Sequence, residues 1–383
     1  MLLGYGAKNC WCFKDWMEVD LSLDDKVPSD ISMNLPAATA MCFKGANASG
    51  KTNALKVFAF ITDFATNSFQ YKPDSEILFD TYFMNKEPSE FYIEFVTGDN
   101  YYRYEFKVSK KEIIEEHLFR KFGDAGSRIA EVFIREGNNI TKNSLYSGHG
   151  DIIFRENASF ISTLHQYGLE EINDIYDFLY NNIINVSYIG LNNRLVENIN
   201  NISNMYFSSP EKLLFAQNKI HMFDTGITKI EIRTRKDEQN NNIYFPVFYH
   251  ELEGKDDVPF TLEQESSGTR KLFCNLLLYA EVLEKGCILI LDEFDINLHP
   301  DILPYLLELF IKHDNNSNNA QLIFTTHNNE IMDLLGKYRT YLFEKERGES
   351  YCFRLDETSL RNDRPISVPY KKGLIGGVPK IQK

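Results

Sequence analysis

The chain lacks almost everything that marks a secreted, membrane-bound or fibrous protein. Among its 383 residues no run is long and apolar enough to cross a bilayer. Residues 1–12 carry neither a charged leader region nor a cleavage pattern, so a cytoplasmic location with no membrane contact is expected. The six cysteines, Cys10, Cys12, Cys42, Cys274, Cys287 and Cys352, form no CxxC pair, and the pattern reads as reduced, mostly buried thiols. Cys10-Trp11-Cys12 could join a metal site only with ligands from distant parts of the chain. No heptad repeat is sustained over residues 157–217, so a long coiled-coil arm is not expected. Basic residues are scarce: 41 Lys plus Arg face 55 Asp plus Glu, a formal net charge of -14. Such a chain is a poor general coat for nucleic acid.

What is present is a rich core. Hydrophobic residues make up 43% and aromatic residues 14%, enough for one large domain or two lobes. A short strand, a turn through Lys14-Asp15 and a second strand open the chain. An apolar run over residues 40–43 then meets a glycine and a helix over 52–64. Residues 91–95 and 101–108 alternate apolar and polar across Thr97-Gly98-Asp99-Asn100, a hairpin signal. Residues 157–217 read as helical and Asn-rich. A helix over 270–283, a strand over 287–291, a helix opened by Pro304 and a strand over 321–325 follow. Strands alternating with helices predict an α/β fold with a largely parallel sheet.

Gly45-Ala46-Asn47-Ala48-Ser49-Gly50-Lys51-Thr52 is a full GxxxxGK[ST]. The glycines let the backbone curl so that successive N–H groups and the next helix's N-terminus face phosphate oxygens. Lys51 would reach the β- and γ-phosphates, and Thr52 would ligate magnesium. Four apolar residues ending in Asp292-Glu293 describe a buried strand that delivers two carboxylates to the edge where open α/β sheets bind ligands. Asp292 would hold magnesium, and Glu293 would polarise an attacking water. Thr325-Thr326-His327 brings a histidine to the same edge. Ser266, Ser267, Gly268 and Thr269 precede a helix whose N-terminus would make a second anion cradle. Asp292, Glu293, Asp295 and His299 could instead hold a divalent ion for a nuclease, but the P-loop accounts for the acidic pair more economically.

The order of these motifs resembles the ABC-type ATPases, with particular similarity to the SMC and RecF branch. The resemblance implies a P-loop ATPase head with a mixed β-sheet lobe and a mostly helical insert, ATP and Mg2+ as cofactors, and hydrolysis of ATP. It implies catalytic roles for Lys51, Glu293 and His327, the last as a γ-phosphate sensor, and magnesium on Thr52 and Asp292. Residues 45–53, through Asn53, would contact the nucleotide. Ser266, Ser267, Gly268 and Thr269 occupy the signature position, which in the family completes the partner subunit's site; Ser267 and Thr269 depart from the usual Gly and Gln. Asn297-Leu298-His299-Pro300 takes the D-loop position, with His299 where Asp is common. The family's Q-loop glutamine has no clear counterpart, although Gln70 follows the first helix.

Gly45 through Asn53, Glu265 through Thr269, Asp292-Glu293, Leu298-His299-Pro300, Glu344-Lys345 and the stretch 370–379 are similar to stand-alone ATPases of bacterial abortive-infection loci. These include the Rlo-type and AbiL-type proteins and the PARIS ATPase. That resemblance implies a homo-oligomer, at least an ATP-sandwich dimer, that controls a separately encoded effector, a nuclease or TOPRIM protein, in response to a phage-derived trigger. Because the sequence stops shortly after the ATPase elements, no appended TOPRIM domain is expected. The expected division is a split nucleotide-binding domain over 1–84 and 226–383, an antiparallel β region over 85–135, and a mainly helical, partner-specific insert over 136–225. The alternative is a DNA-maintenance ATPase using the basic residues Lys107, Lys110, Lys111, Arg233, Arg235 and Lys236.

Overall fold

The computed structural model describes residues 1–123, 128–147, 152–191, 198–224, 226–253, 257–360 and 364–379. Its centre is a six-stranded sheet in the order Glu349–Arg354, Thr340–Glu346, Ala40–Gly45, Gln321–Thr325, Ile288–Leu291, Ile183–Ile184. All neighbours are parallel except the edge strand Glu349–Arg354. Parallel sheets need cover on both faces, and the sequence supplies it by strict alternation. Met41, Phe43, Ile288, Ile290 and Ile323 face one core. Ala40, Cys42, Leu289, Leu291, Leu322 and Phe324 face the other.

The first core is closed by the helix Lys51–Asn67 and by a seven-stranded sheet in the order Met17–Asp20, Leu2–Lys8, Ser89–Thr97, Asn100–Val108, Ile113–Phe122, Ala130–Glu136, Asn139–Asn143, antiparallel throughout. The expected hairpin lies inside it. Thr97 pairs with Asn100 across Gly98-Asp99, and Gly98 takes φ 54°, the left-handed conformation that a tight two-residue turn requires. The sheet runs wider than residues 85–135, because the two N-terminal strands join it at one edge and Asn139–Asn143, from the segment expected to be mainly helical, at the other.

The second core is closed by the helices Ser267–Lys285, Leu303–Ile311, Ile199–Ser208 and Pro210–Phe223, with the small sheet Ile227–Lys236, Asn242–His250, Val258–Thr261. Over 157–217 the expected run of helices is interrupted, and 192–197 lie outside the described residues. Helices Phe160–Gln166 and Asn173–Tyr180 give way to Ile183–Ile184, which pairs in parallel with Leu289 and Ile290, and then to the pair Val186–Ser187 and Gly190–Leu191. A β-branched pair this short is decided by its distant partner, not by local periodicity.

One buried ion pair ties the antiparallel sheet to the helix Phe160–Gln166. Arg135 Nη1 lies 3.0 Å from Glu116 Oε2, both side chains 0% exposed. Glu116 also accepts from Tyr104 Oη (2.6 Å) and Phe160 N (3.1 Å), while Arg135 donates to the carbonyls of Ala158, Gly137 and Arg155. Burial pushes the Glu116 carboxyl up, and Arg135 pulls it back. Arg135→Met should therefore cost about 3–5 kcal/mol by leaving a buried carboxylate unpaired. Adding Glu116→Gln, which removes the charge but keeps an acceptor for Tyr104 Oη and Phe160 N, should recover part of the loss. Urea midpoints of the two variants check both expectations.

Candidate nucleotide-binding site

The strand Ala40–Gly45 is fully buried and runs straight into the loop that precedes the helix Lys51–Asn67. A side chain at Gly45 would collide with the carbonyl of Phe343 on the neighbouring strand, and Gly50 takes φ 110° as the helix N-cap. Both glycines are therefore needed for the close backbone approach. The free N–H groups of the first helical turn face the loop. Lys51 Nζ donates to the carbonyls of Gly45 (2.9 Å) and Ala46 (2.8 Å), and burial lowers its pKa from the ordinary lysine value. Among the described residues Ser49 Oγ is buried without a hydrogen-bond partner. A buried ammonium held by loop carbonyls, an orphaned hydroxyl and a cradle that a Cβ would fill together fit the phosphates of a nucleotide.

Asp292 sits one residue past the strand Ile288–Leu291, where it gathers the neighbouring strand ends. Its Oδ2 accepts from Thr52 Oγ1 at 2.8 Å and its Oδ1 from Thr325 Oγ1 at 2.6 Å. A hydroxyl and a carboxylate in contact at the phosphate edge suit magnesium, which takes few protein ligands and draws the rest from phosphate and water. Glu293 follows at φ 54°, a left-handed conformation that costs a non-glycine residue about 1–2 kcal/mol. Its N–H is secured by Thr325 Oγ1 at 2.8 Å. Asp295 accepts from the backbone N–H groups of His327 (3.1 Å) and Asn328 (3.2 Å), which locks the two strand-end turns together. His327 shares a cavity of about 860 Å³ with Gly45, Ala46 and Asn47.

The expected site residues thus fall into two groups. Lys51, Thr52, Asp292, Glu293 and His327 converge on one sheet edge. Ser266, Ser267, Gly268 and Thr269 stand apart at the start of the helix Ser267–Lys285, and among the described residues no hydrogen bond joins them to the P-loop. Ser266 is the N-cap, its Oγ accepting from Thr269 N at 3.0 Å, and both Ser266 and Ser267 are exposed. Gly268 lies against the D-loop position, where a Cβ would meet Asn297 O at 3.1 Å. The Asn53 amide is engaged away from the loop, donating to Cys12 Sγ at 3.0 Å. Gln70 lies beyond the far end of the 17-residue P-loop helix, about 25 Å along its axis from Lys51. Among the described residues no three or more His, Cys, Asp or Glu side chains are gathered so as to hold a metal ion, so Asp292, Glu293, Asp295 and His299 do not form one ligand set in this structure.

Sequence reasoning missed Asn185. It follows Ile183–Ile184 at the same sheet edge, and its side chain grips the Asp292 backbone from both sides. Asp292 N donates to Asn185 Oδ1 at 2.7 Å, and Asn185 Nδ2 donates to Asp292 O at 3.0 Å. Nothing local distinguishes this Asn from its many neighbours; only the strand pairing does.

A P-loop on a parallel sheet, an acidic strand end, a strand-end histidine and a separate helix-capped serine define a P-loop ATPase of the ABC and SMC-head class. The chain belongs to the family described as "AAA domain, putative AbiEii toxin, Type IV TA system", whose model matches residues 40–333. No curated protein sequence matches it. Among solved structures, an SMC head bound to the C-winged helix domain of ScpA aligns with a TM-score of 0.51 at 14% identity. The alignment covers 93% of this chain and 98% of that one, and it shows the shared fold. The SMC head domain from Thermotoga maritima aligns at TM-score 0.47 and 14% identity, over 92% and 98% of the two chains. An Smc head with an extended coiled coil, bound to the C-terminal domain of ScpA from Pyrococcus furiosus, aligns at 0.42 and 13%, over 93% and 97%. No helix among the described residues is long and apolar enough to cross a membrane.

Two outcomes are expected. Asn185→Ala strands two buried backbone groups of Asp292, so it should cost about 1–3 kcal/mol of stability. It should also lower magnesium-dependent turnover while the P-loop still binds nucleotide, as denaturation and single-turnover assays would read. Lys44, buried beside the P-loop, is lowered to about 8 from 10.5, chiefly by burial. The folded chain then binds fewer protons than the unfolded chain between those values, so stability should rise with pH across that window. Subtracting the pH profile of Lys44→Met isolates this contribution.

Proposed function

We propose that this protein is an ATP-hydrolysing sensor that dimerises around nucleotide and controls a separately encoded effector, a nuclease, in anti-phage defence. The observation that carries the dimer is that one chain holds two anion cradles with no hydrogen bond between them among the described residues: the P-loop edge and the exposed N-terminus of Ser267–Lys285. Each would be completed by its counterpart on a second copy. In that arrangement Lys51 would hold the β- and γ-phosphates, with Ala46, Asn47, Ala48, Ser49, Gly50 and Thr52 cradling them through the backbone. Thr52 and Asp292 would hold magnesium, which neutralises charge on the transferring phosphoryl group. Glu293, aimed by its left-handed backbone, would orient the attacking water and take its proton. His327 would hydrogen-bond the terminal phosphate. Ser266, Ser267, Gly268 and Thr269 of the partner copy would close the site. ATP binding would favour the closed dimer, and hydrolysis would loosen it by removing contacts that bridge the subunits.

The defence role draws support from the family's association with the AbiEii toxin and a Type IV TA system and from the resemblance to abortive-infection ATPases. An SMC head carrying a ScpA domain supports the idea that heads of this fold dock a second protein. The DNA reading is weakened by the engagement of two of its basic residues: Lys110 pairs with Asp80 and Arg233 with Glu231.

Mixing Lys51→Ala subunits with Gly268→Asp subunits tests the shared site. Each variant alone should be inactive, and an equimolar mixture should recover about a quarter of wild-type activity, because half the dimers then hold one intact site. No recovery would refute the sandwich. For the effector, Glu293→Gln protein purified in Mg-ATP should carry a stoichiometric protein partner that survives nuclease treatment. Nucleic acid without a protein partner would instead favour DNA maintenance.

A further inference from the structure

The cavity that His327 shares with the P-loop has a wall that the ATPase motifs do not use. Lys44, 3% exposed on the P-loop strand, donates to the Thr326 carbonyl at 3.2 Å. Lys371 and Lys372 line the same space, with Tyr370 beside them, and no Asp or Glu side chain lines it among the described residues. The three lysines around this cavity outnumber the carboxylates near them, Asp295, which acts on Lys44, and Glu344, each of which is engaged by backbone N–H groups. In a chain with 55 acidic and 41 basic residues, this leaves a local positive field against the overall charge. Such a field favours an anion, and the P-loop residues Gly45, Ala46 and Asn47 form the opposite wall.

The two exposed lysines are held in place by a built strap. Residues 367–379 fold back over the sheet edge, and Ser367 bonds Asp333 through both its N–H (2.8 Å) and its hydroxyl (2.5 Å). Tyr370 Oη donates to Gly377 O at 2.9 Å, and Gly377 N donates to Glu344 Oε1 at 2.7 Å. Gly376 and Gly377 take φ 83° and 73°, and a side chain at Gly376 would collide with the Glu344 carboxylate. Glu344 and the glycine pair, far apart in sequence, thus form one latch. It fixes the strap against the strand Thr340–Glu346, which is hydrogen-bonded to the P-loop strand.

From this geometry we infer that the strap reads the terminal phosphate of a nucleoside triphosphate: Lys371 and Lys372, with Lys44 behind them, bind the extra charge that a diphosphate lacks. The inference rests on the reading that the P-loop holds a nucleotide, and it names the residues that distinguish triphosphate from diphosphate.

The test is a titration of the full chain with fluorescent ADP and with a fluorescent, non-hydrolysable ATP analogue, in magnesium and at protein concentrations too low for subunits to associate. Lys371→Ala/Lys372→Ala should weaken the triphosphate about tenfold or more, the size of losing charge-assisted bonds to phosphate, and leave ADP within about twofold. Lys371→Arg/Lys372→Arg should restore most of the preference. Equal loss of both nucleotides would mean the strap merely supports the fold, and an unchanged preference would mean it does not touch the phosphate; either overturns the inference. A loss confined to concentrations at which subunits associate would assign the lysines to acidic groups of a second copy, and would overturn it too. Lys51→Ala separates the two readings. If that variant binds both nucleotides as wild type does, the P-loop reading itself fails and takes this one with it. If it loses both while the strap variant changes nothing, only the strap is at fault.

Discussion

Asp292 is the constraint on which the site depends. Its two carboxylate oxygens hold Thr52 and Thr325, and its own N–H and carbonyl are held by Asn185. Four points of one residue are thereby fixed to the P-loop helix and to the two strand ends on either side. A carboxylate in a sheet buried on both faces is tolerable only with such partners. The same bonds place the Thr52 hydroxyl and the Asp292 carboxylate, the pair proposed to hold magnesium, at the edge of the P-loop. Stability and chemistry make the same demand on this residue, so the left-handed turn at Glu293 can be held against its own strain.

The motifs were legible because each is contiguous and carries its own physics. A glycine-framed loop before Lys51, an apolar strand running into Asp292 and a serine before a helix each imply a local conformation whatever lies elsewhere. The apolar run over residues 40–43 was legible for the same reason, but its division between two cores, Met41 and Phe43 on one face and Ala40 and Cys42 on the other, appears only in the fold. The hairpin at Gly98-Asp99 was another such case, since its turn chemistry and its register are written in adjacent residues.

What stayed hidden depends on pairing across long separations. Ile183–Ile184 is too short for any local signal, and it becomes a strand only because Leu289 and Ile290 offer an open edge. Asn185 inherits its role from that pairing. The N-terminal strands looked like part of the nucleotide lobe; they instead pair with Ser89–Thr97 and extend the antiparallel sheet. Glu344 and the Gly376-Gly377 pair were visible as residues, but their bond was not, because nothing in either segment specifies the other. Asn53 shows the opposite case. Its place beside the P-loop implies a nucleotide contact, yet Cys12, from the far N-terminal turn, takes its side chain.

The grip of Asn185 on Asp292 gives the site a mechanical input. Asn185 belongs to the segment that links the helices Phe160–Gln166 and Asn173–Tyr180 to the hairpin Val186–Ser187 and Gly190–Leu191, and Tyr188 at the hairpin's tip bonds Asp80 at 2.8 Å beside Lys56 of the P-loop helix. A load that draws this segment along its axis must either rupture the two bonds from the Asn185 amide to the Asp292 backbone or carry the carboxylate with it. The Asp292 carboxylate is in that sense the short arm of a lever whose long arm reaches the protein surface.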